Sequence, residues 1–480
     1  MTNWTESAGL AVCNIAWLFS CLPGYFAFQA GRDHVASVQM RKLASLLRRN
    51  AGTEFGSRWR FGCIRGYEDW RDALPVQEYE DFAPYIDRIK SGGQNLLTSE
   101  RVLLLEPTSG SSGTSKLIPY TQGLRREFQQ AISAWVADIF LGMPSLLCGR
   151  SYWSVSPPVQ QPDAAGSTVK IGFDDDSQYL GRIGRSLMRR ILAVPQDFDH
   201  AGEFLASCRG LSFISVWSPT FLDSLFQRDF QRTRGMGSVR FVSAWGDGAS
   251  AQFTPLVGKY FPQALFQPKG LVSTECFSSF PLFATGHRAV LAYRSHFFEF
   301  MDGAGRLHPV QELQQGGQYT LVASTSGGLY RYNTHDRVEV TGFHHAIPLL
   351  KFCCRDNHVS DFFGEKLNED FVAGACRNVF AACGLAPAFH MLTFDGDSYA
   401  LLLDCEGADY DRIARMLEDE LEQNYHYCTC IRLGQLKPAL CIPAPSGASR
   451  YISFCQGKGI RLGDIKFREI DTSFKKEHLV

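Results

Sequence analysis

The chain has 480 residues, 45% of them hydrophobic and 20% charged, with a net charge of -1 at pH 7. This balance excludes a disordered chain, and the near-zero charge excludes a basic nucleic-acid surface or an acidic tail for a basic partner. The 15 cysteines are scattered without C-x-x-C pairs, as at Cys353-Cys354 and Cys428-Thr429-Cys430. A disulfide framework or zinc knuckle is therefore not expected, and reduced cysteines in a cytoplasm are.

Residues 9–29 are apolar enough to suggest a membrane span or signal peptide. Pro23-Gly24 breaks the run, no basic stretch precedes it, and no clean small-residue cleavage site follows. The expectation is an N-terminal helical element packed on a soluble body, with no membrane partner. It leads into Val35, Val38, Leu43, Leu46 and Leu47, a set at helical spacing. Short apolar runs predict strands at Val102–Leu105, Tyr152–Ser156, Leu211–Val216, Val239–Ser243, Tyr319–Ala323 and Val338–Val340. Residues 122–142 predict an amphipathic helix, with Phe128, Ile132, Trp135, Val136, Ile139 and Phe140 on one stripe. Strands interleaved with helices argue an α/β body.

The pattern changes near 350–365. A helix is expected around 367–383, ending at Gly384, then a hairpin through Asp395-Gly396 and a helix around 409–424. Short strands are expected to close the chain. The reading divides the chain into a large N-terminal domain, 1–354, and a small α+β C-terminal domain, 355–480.

The strongest local signal is Thr108-Ser109-Gly110-Ser111-Ser112-Gly113-Thr114-Ser115-Lys116, placed after the apolar run Val102–Leu105. Hydroxyls and backbone N–H groups at this density wrap phosphate oxygens, the glycines allow close approach, and Lys116 supplies a compact positive charge. It is not a Walker loop, which needs G-x-x-x-x-G-K-[ST]. A flexible Ser/Gly linker is the bland alternative. A linker does not usually sit between an apolar strand and Leu117-Ile118-Pro119-Tyr120, nor end on a single lysine.

The spacing T-S-G-[ST]-[ST]-G-x-x-K, continued by Lys116-Leu117-Ile118-Pro119, resembles the phosphate loop of the acyl-adenylate-forming superfamily. Within it, the segment is similar to that of the Gretchen Hagen three family, the auxin-responsive acyl acid amido synthetases, which have bacterial relatives. Further motifs follow in order. Ser273-Thr274-Glu275 resembles the element whose glutamate holds magnesium beside ATP. Gly328-Leu329-Tyr330-Arg331-Tyr332-Asn333-Thr334-His335-Asp336 resembles G-L-Y-R-Y-R-x-G-D, whose aspartate accepts from both ribose hydroxyls. Here Asn333 and His335 replace the arginine and glycine. Arg355 resembles the hinge arginine, and Gly364-Glu365-Lys366-Leu367-Asn368-Glu369 the opening of the small domain. Arg461-Leu462-Gly463-Asp464-Ile465-Lys466 resembles the loop with the mobile lysine of adenylation, with Lys437 and Lys458 as competitors. Trp245 and Gly246 fall where relatives line the adenine pocket. Trp153 and Trp217 are either acyl-pocket or core residues.

The resemblance spans about residue 40 to the C-terminus and implies an adenylate-forming fold with mixed β-sheets, flanking helices and a small mobile C-terminal domain. It implies ATP and Mg2+ as cofactors, with a small carboxylic acid and an amine, an amino acid, as substrates. The acid would form acyl-AMP and pyrophosphate, and the acyl group would pass to the amine. Ser109 to Thr114 and Lys116 would face the phosphates, Ser273, Thr274 and Glu275 the ATP and metal, Asp336 the ribose, and Lys466 the adenylation state. Two alternatives remain: a thioester-forming acyl-CoA synthetase, and a catalytically silent nucleotide binder prompted by Asn333 and His335.

Overall fold

In a computed structural model of the chain, residues 4–108, 116–153, 168–172, 190–193, 201–226, 236–356, 358–460 and 462–479 are described. They form two units. The first comprises Met1–Ser215, Gly235–Ser243 and Gln263–Phe352, and the second Val216–Arg234, Ala244–Pro262 and Cys353–Val480.

The first unit opens with helix α1, Trp4–Ala30, which runs unbroken through Pro23. The expected break is therefore not there. Pro23 lies on the exposed side, as does Phe19 four residues earlier, so the carbonyl left without an N–H partner faces water. Gly24 lies against helix Gln122–Gly142, and a Cβ there would stand 2.8 Å from that of Ser133, so only a glycine lets the two helices approach so closely. α1 buries Leu10, Trp17, Cys21 and Phe28, while Asn14 donates to the carbonyls of Leu147 and Gly149 at 2.8 and 2.9 Å. Its Val12, Phe19 and Phe26 are exposed, and among the described residues it is the one helix long and apolar enough to cross a membrane. Helix α2, Val35–Asn50, buries Val35, Val38, Leu43, Leu46 and Leu47, as their spacing predicts. Two helices near the site follow: α3, Tyr67–Ala73, and α4, Tyr79–Lys90.

Strand β1, Val102–Pro107, pairs antiparallel with β2, Leu117–Thr121. The chain then enters α5, Gln122–Gly142, the helix expected from its periodicity. Thr121 caps it, accepting from the N–H of Leu124 at 3.0 Å, which satisfies one of the unpaired first-turn donors. Phe128, Trp135, Val136, Ile139 and Phe140 are buried. Each such side chain contributes about 1.5–3 kcal/mol of apolar burial.

Four strands follow in one sheet, ordered as in the sequence: β3 (Arg150–Trp153), β4 (Leu211–Ser215), β5 (Phe241–Ala244) and β6 (Leu265–Pro268). β3, β4 and β5 run parallel, and β4 and β5 are buried along their length, as expected of a sheet covered on both faces. A seven-stranded sheet is built from β7 (Ser279–Pro281), β8 (Ala289–Leu291), β9 (Phe297–Met301), β10 (Leu307–His308), β11 (Gln318–Ser324), β12 (Tyr332–His344) and β13 (Ile347–Arg355). Its order is β10-β9-β11-β12-β13-β8-β7. β12 extends well beyond the expected Val338–Val340.

The second unit carries helix α6, Glu369–Cys383, and the expected hairpin of β14, Phe389–Phe394, with β15, Ser398–Asp404. Gly384 ends α6 at φ 66°, and Gly396 turns the hairpin at φ 80°, both left-handed positions that glycine takes at no steric cost. Helix α7, Tyr410–Leu421, buries Ile413, Leu417 and Leu421. α8, Tyr425–Arg432, precedes β16, Lys437–Pro443, which pairs parallel with β15. The expectation that short strands close the chain is corrected, because α9, Gly447–Gly457, follows β16. Tyr451 and Cys455, four apart on α9, are buried with Phe467 and Phe474, a helical spacing inside a short segment of weak pattern.

Candidate active site

The phosphate-loop candidates Ser109, Gly110, Ser111, Ser112, Gly113 and Thr114 lie outside the described residues. The neck of their loop is described. The N–H of Thr108 donates to the carbonyl of Lys116 at 2.8 Å, one step beyond the Pro107–Leu117 pair of the β1–β2 ladder. A structured hairpin therefore carries the loop, which a free linker would not have. Tyr79, the first residue of α4, holds the same point: its hydroxyl accepts from the N–H of Leu117 at 2.8 Å. Lys116 Nζ lies 5.2 Å from the Tyr79 ring centroid, within cation–π range. Burial pushes the Tyr79 hydroxyl pKa up, and the negative fields of Asp87, Glu80 and Glu275 act the same way.

Ser273-Thr274-Glu275 forms a tight turn between β6 and β7. The N–H of Ser273 donates to the carbonyl of Cys276 at 3.0 Å, and Tyr120 on β2 donates to the carbonyl of Thr274 at 3.0 Å. The Cys276 thiol is pushed up to about 12, first by burial and further by the charges of Glu275 and Asp336. Both negative charges therefore act on the same buried thiol. Behind the turn, His296 Nε2 accepts from the N–H of Phe277 at 3.0 Å, which leaves its proton on Nδ1, 3.0 Å from Glu127. Burial pushes the His296 pKa down, against the pull of Glu127. Burial opposes ionisation of Glu127, yet Lys42 at 3.0 Å and hydrogen bonds from His296 and Ser326 hold it down to about 2.

Asp336 sits on β12, buried to 8% exposure. The motif before it has a structural arginine. Arg331 is 1% exposed at φ 49°, and its Nε reaches Glu299 at 2.9 Å, while Nη1 donates to the carbonyls of Arg71 and Leu74. Glu299 also accepts from Tyr67 and Trp70 on α3, each at 3.0 Å. The two departures from the family motif meet one partner. Asn333 Nδ2 donates to Glu78 Oε1 at 2.9 Å, and His335 Nε2 lies 2.7 Å from Glu78 Oε2.

In the second unit, Lys466 Nζ stands 5.7 Å from the Trp245 ring centroid. Trp245 tilts against Trp217 with centroids 5.8 Å apart, and its N–H donates to the carbonyl of Trp217 at 2.7 Å. Gly246 follows, half-buried, as are both tryptophans. The competing lysines are held elsewhere: Lys437 pairs with Asp397 at 2.5 Å, and Lys458 donates to Ser473 at 3.0 Å. Arg355 is the last residue of β13. Glu365 is buried, which opposes its ionisation, but hydrogen bonds from Tyr399 and the N–H groups of Phe362 and Phe363 outweigh this and lower its pKa. Trp153 belongs to the first unit's core, 6.1 Å from Trp17 and 5.3 Å from Phe213.

Lys116, Ser273 to Glu275 and Asp336 therefore gather in the first unit, and Trp217, Trp245, Gly246 and Lys466 in the second. Sequence reasoning missed Glu78, Tyr79 and the Glu127–His296–Lys42 cluster. The only local hint for Glu78 was its place before a helical run with Asp81 three residues on, which reads as an ordinary helix start. The protein contains a match to the GH3 family N-terminal domain over residues 27–178 and to the GH3 family central domain over 289–355. It is similar to a probable indole-3-acetic acid-amido synthetase of Oryza sativa subsp. japonica, 24% identical across 72% of this chain and 74% of the relative. An indole-3-acetic acid-amido synthetase of Arabidopsis thaliana is 22% identical across 71% and 70%. Among solved structures, the GH3.15 acyl acid amido synthetase in complex with 2,4-DB superposes with a TM-score of 0.77 at 18% identity, over 96% of this chain and 95% of that one. A 2-hydroxyisobutyryl-CoA ligase in the postadenylation state in complex with 2-HIB-AMP superposes with a TM-score of 0.58 at 12% identity, over 94% of this chain and 91% of that one.

Proposed function

The chain belongs to the GH3 family, and from that premise we propose that it is an ATP-dependent ligase that joins a carboxylic acid to an amino acid through an acyl-adenylate. The reading is supported within one unit by Lys116, which lies over Tyr79, and by the charges of Glu275, which acts on both Tyr79 and Cys276, and of Asp336, which acts on Cys276. A cation, a metal-binding carboxylate and a ribose-binding carboxylate are the groups that a nucleotide triphosphate requires along its length.

In the first step a carboxylate oxygen attacks the α-phosphorus of ATP. The new P–O bond replaces the α–β anhydride bond, and pyrophosphate leaves. In the second, the amine nitrogen attacks the acyl carbon, AMP departs with the electron pair of the C–O bond, and the nitrogen loses its proton. Little covalent chemistry falls to the protein, so its work is positioning and charge stabilisation. Lys116 draws charge from the phosphates, with Ser109 to Thr114 supplying donors around them. Asp336 accepts from the ribose hydroxyls. Lys466, beside Trp245, serves the adenylation state, and Arg355 marks the pivot of a mobile 355–480 segment.

Magnesium fits this set. Two carboxylates beside a triphosphate repel it unless a divalent ion intervenes, and Mg2+ is commonly held by one or two protein carboxylates plus phosphate oxygens. Glu275 is the ligand proposed. When bound, the ion would neutralise charge on the departing pyrophosphate.

The test is pyrophosphate release from ATP and magnesium with a panel of carboxylic acids, with and without mixed amino acids, beside a Lys116→Ala control. Acid-dependent release that the control loses, and that an amino acid accelerates, is the expected result. Acceleration by coenzyme A instead would replace amide with thioester formation. No release with any acid, despite ATP binding, would count for a silent nucleotide binder.

A further inference from the structure

The family motif places glycine two residues after the position of Asn333, and here that place holds His335 at φ 58°. A side chain at such an angle is strained and persists only where its surroundings fix it. The surroundings are visible. The Glu78 carboxylate takes Asn333 Nδ2 on one oxygen at 2.9 Å and His335 Nε2 on the other at 2.7 Å. Asn333 Oδ1 accepts from the N–H of His335 at 3.0 Å, closing a ring of contacts around this irregular stretch of β12. The backbone secures the same segment: the N–H of Gln77 donates to Arg331, and the N–H of Asn333 to Gln77, each at 2.9 Å.

The next residue after Glu78 is Tyr79, which holds the N–H of Leu117 and lies under Lys116. The next residue after His335 is Asp336. One dipeptide therefore touches both the stretch of β12 that presents the ribose carboxylate and the start of the strand that follows the phosphate lysine. Asp81 keeps Glu78 in place, accepting from its N–H at 2.8 Å.

We propose that Glu78 is a positioning residue: with Asn333 and His335 it forms a clamp that replaces the missing glycine, holds Asp336 in place and, through Tyr79, sets its distance to Lys116. The inference rests on the nucleotide-site reading above. It also makes the two departures a compensated pair, since both altered residues serve the same carboxylate.

The clamp is needed only while a side chain occupies the left-handed position. Glycine there takes the angle unaided. Glu78→Ala is accordingly expected to weaken ATP binding about tenfold, the effect of losing the contact that holds one strained residue. Adding His335→Gly to it is expected to restore most of that loss. A Glu78 that merely capped α4 would not be rescued from β12. Asn333→Asp is the second variant. It leaves Glu78 on its helix, sets a carboxylate against it, and should weaken binding in the same direction.

The measurement is calorimetric titration of the full chain with ATP and magnesium, each variant checked by its melting transition. Equal affinity in folded Glu78→Ala and wild type overturns the proposal, as does a double variant no tighter than Glu78→Ala. Wild type that binds no ATP overturns both this and the functional reading. Wild type that binds ATP but releases no pyrophosphate refutes the ligase alone, and the ranking of affinities still decides the clamp.

Discussion

Replacing Glu299 by glutamine tests whether Arg331 is a structural residue of the site. Glu299 is 1% exposed and accepts from Tyr67, Trp70 and two nitrogens of Arg331, itself 1% exposed. Glutamine keeps the shape but removes the charge, turns one acceptor into a donor, and leaves a guanidinium buried without its counter-ion. Breaking a buried pair from one side costs about 3–5 kcal/mol. The remaining bonds of Arg331 to the carbonyls of Arg71 and Leu74 place the effect at the lower end, about 3 kcal/mol. With a urea slope of about 3 kcal/mol/M, the unfolding midpoint should fall by about 1 M. Removing both charges in Glu299→Leu/Arg331→Met should cost less than either single change, because no uncompensated ion remains. Urea unfolding followed by tryptophan fluorescence reads Glu299→Gln, the singles Glu299→Leu and Arg331→Met, and their double. A midpoint shift below about 0.2 M for Glu299→Gln, or a double variant equal to the sum of the singles, would refute the argument.

Asp336→Asn should raise the ATP KM about ten- to hundredfold, the loss of hydrogen bonds to a charged acceptor, with folding unchanged by circular dichroism. Lys466→Ala should slow acid-dependent pyrophosphate release while sparing amide formation from a supplied acyl-adenylate; Lys437→Ala and Lys458→Ala should slow neither. Glu127 has its folded pKa lowered to about 2, against 4.5 for the free group. A depressed carboxylate pKa stabilises the fold above 4.5, and that contribution, about 3 kcal/mol, disappears as pH falls from 4.5 toward 2. Melting temperatures measured between pH 6 and 3 should therefore fall more steeply in the wild type than in Glu127→Gln. Parallel slopes would show that Glu127 is not held ionised by Lys42.

Much of the fold was legible because local periodicity and tertiary burial agreed. The stripe Phe128, Trp135, Val136, Ile139 and Phe140 became the buried face of α5, and Val35 to Leu47 that of α2. Gly384 and the Asp395-Gly396 turn marked their stops because left-handed backbone has few other occupants. Legibility failed where a neighbour overrode a local rule. Pro23 reads as a breaker, yet α1 continues because its lost donor lies toward water and Gly24 fits against Ser133. Helix α9 was missed because its short apolar spacing is completed by residues distant in the chain, Phe253 and Phe389 before it and Phe467 and Phe474 after it.

By itself the sequence determined which candidate groups are present and in what order: the hydroxyl-rich loop ending at Lys116, the Ser273-Thr274-Glu275 element, Asp336, and the lysine-bearing loop before Phe467. Such candidates are legible because a phosphate, metal or ribose site demands particular atoms at short spacing along the chain. Only the tertiary structure decided what holds them. Glu78 meets Asn333 and His335 across 255 and 257 positions, Arg331 meets Trp70 through Glu299, and Lys42 meets Glu127. A carboxylate's partner is set by distance in space, and no pattern within a window of sequence carries that information.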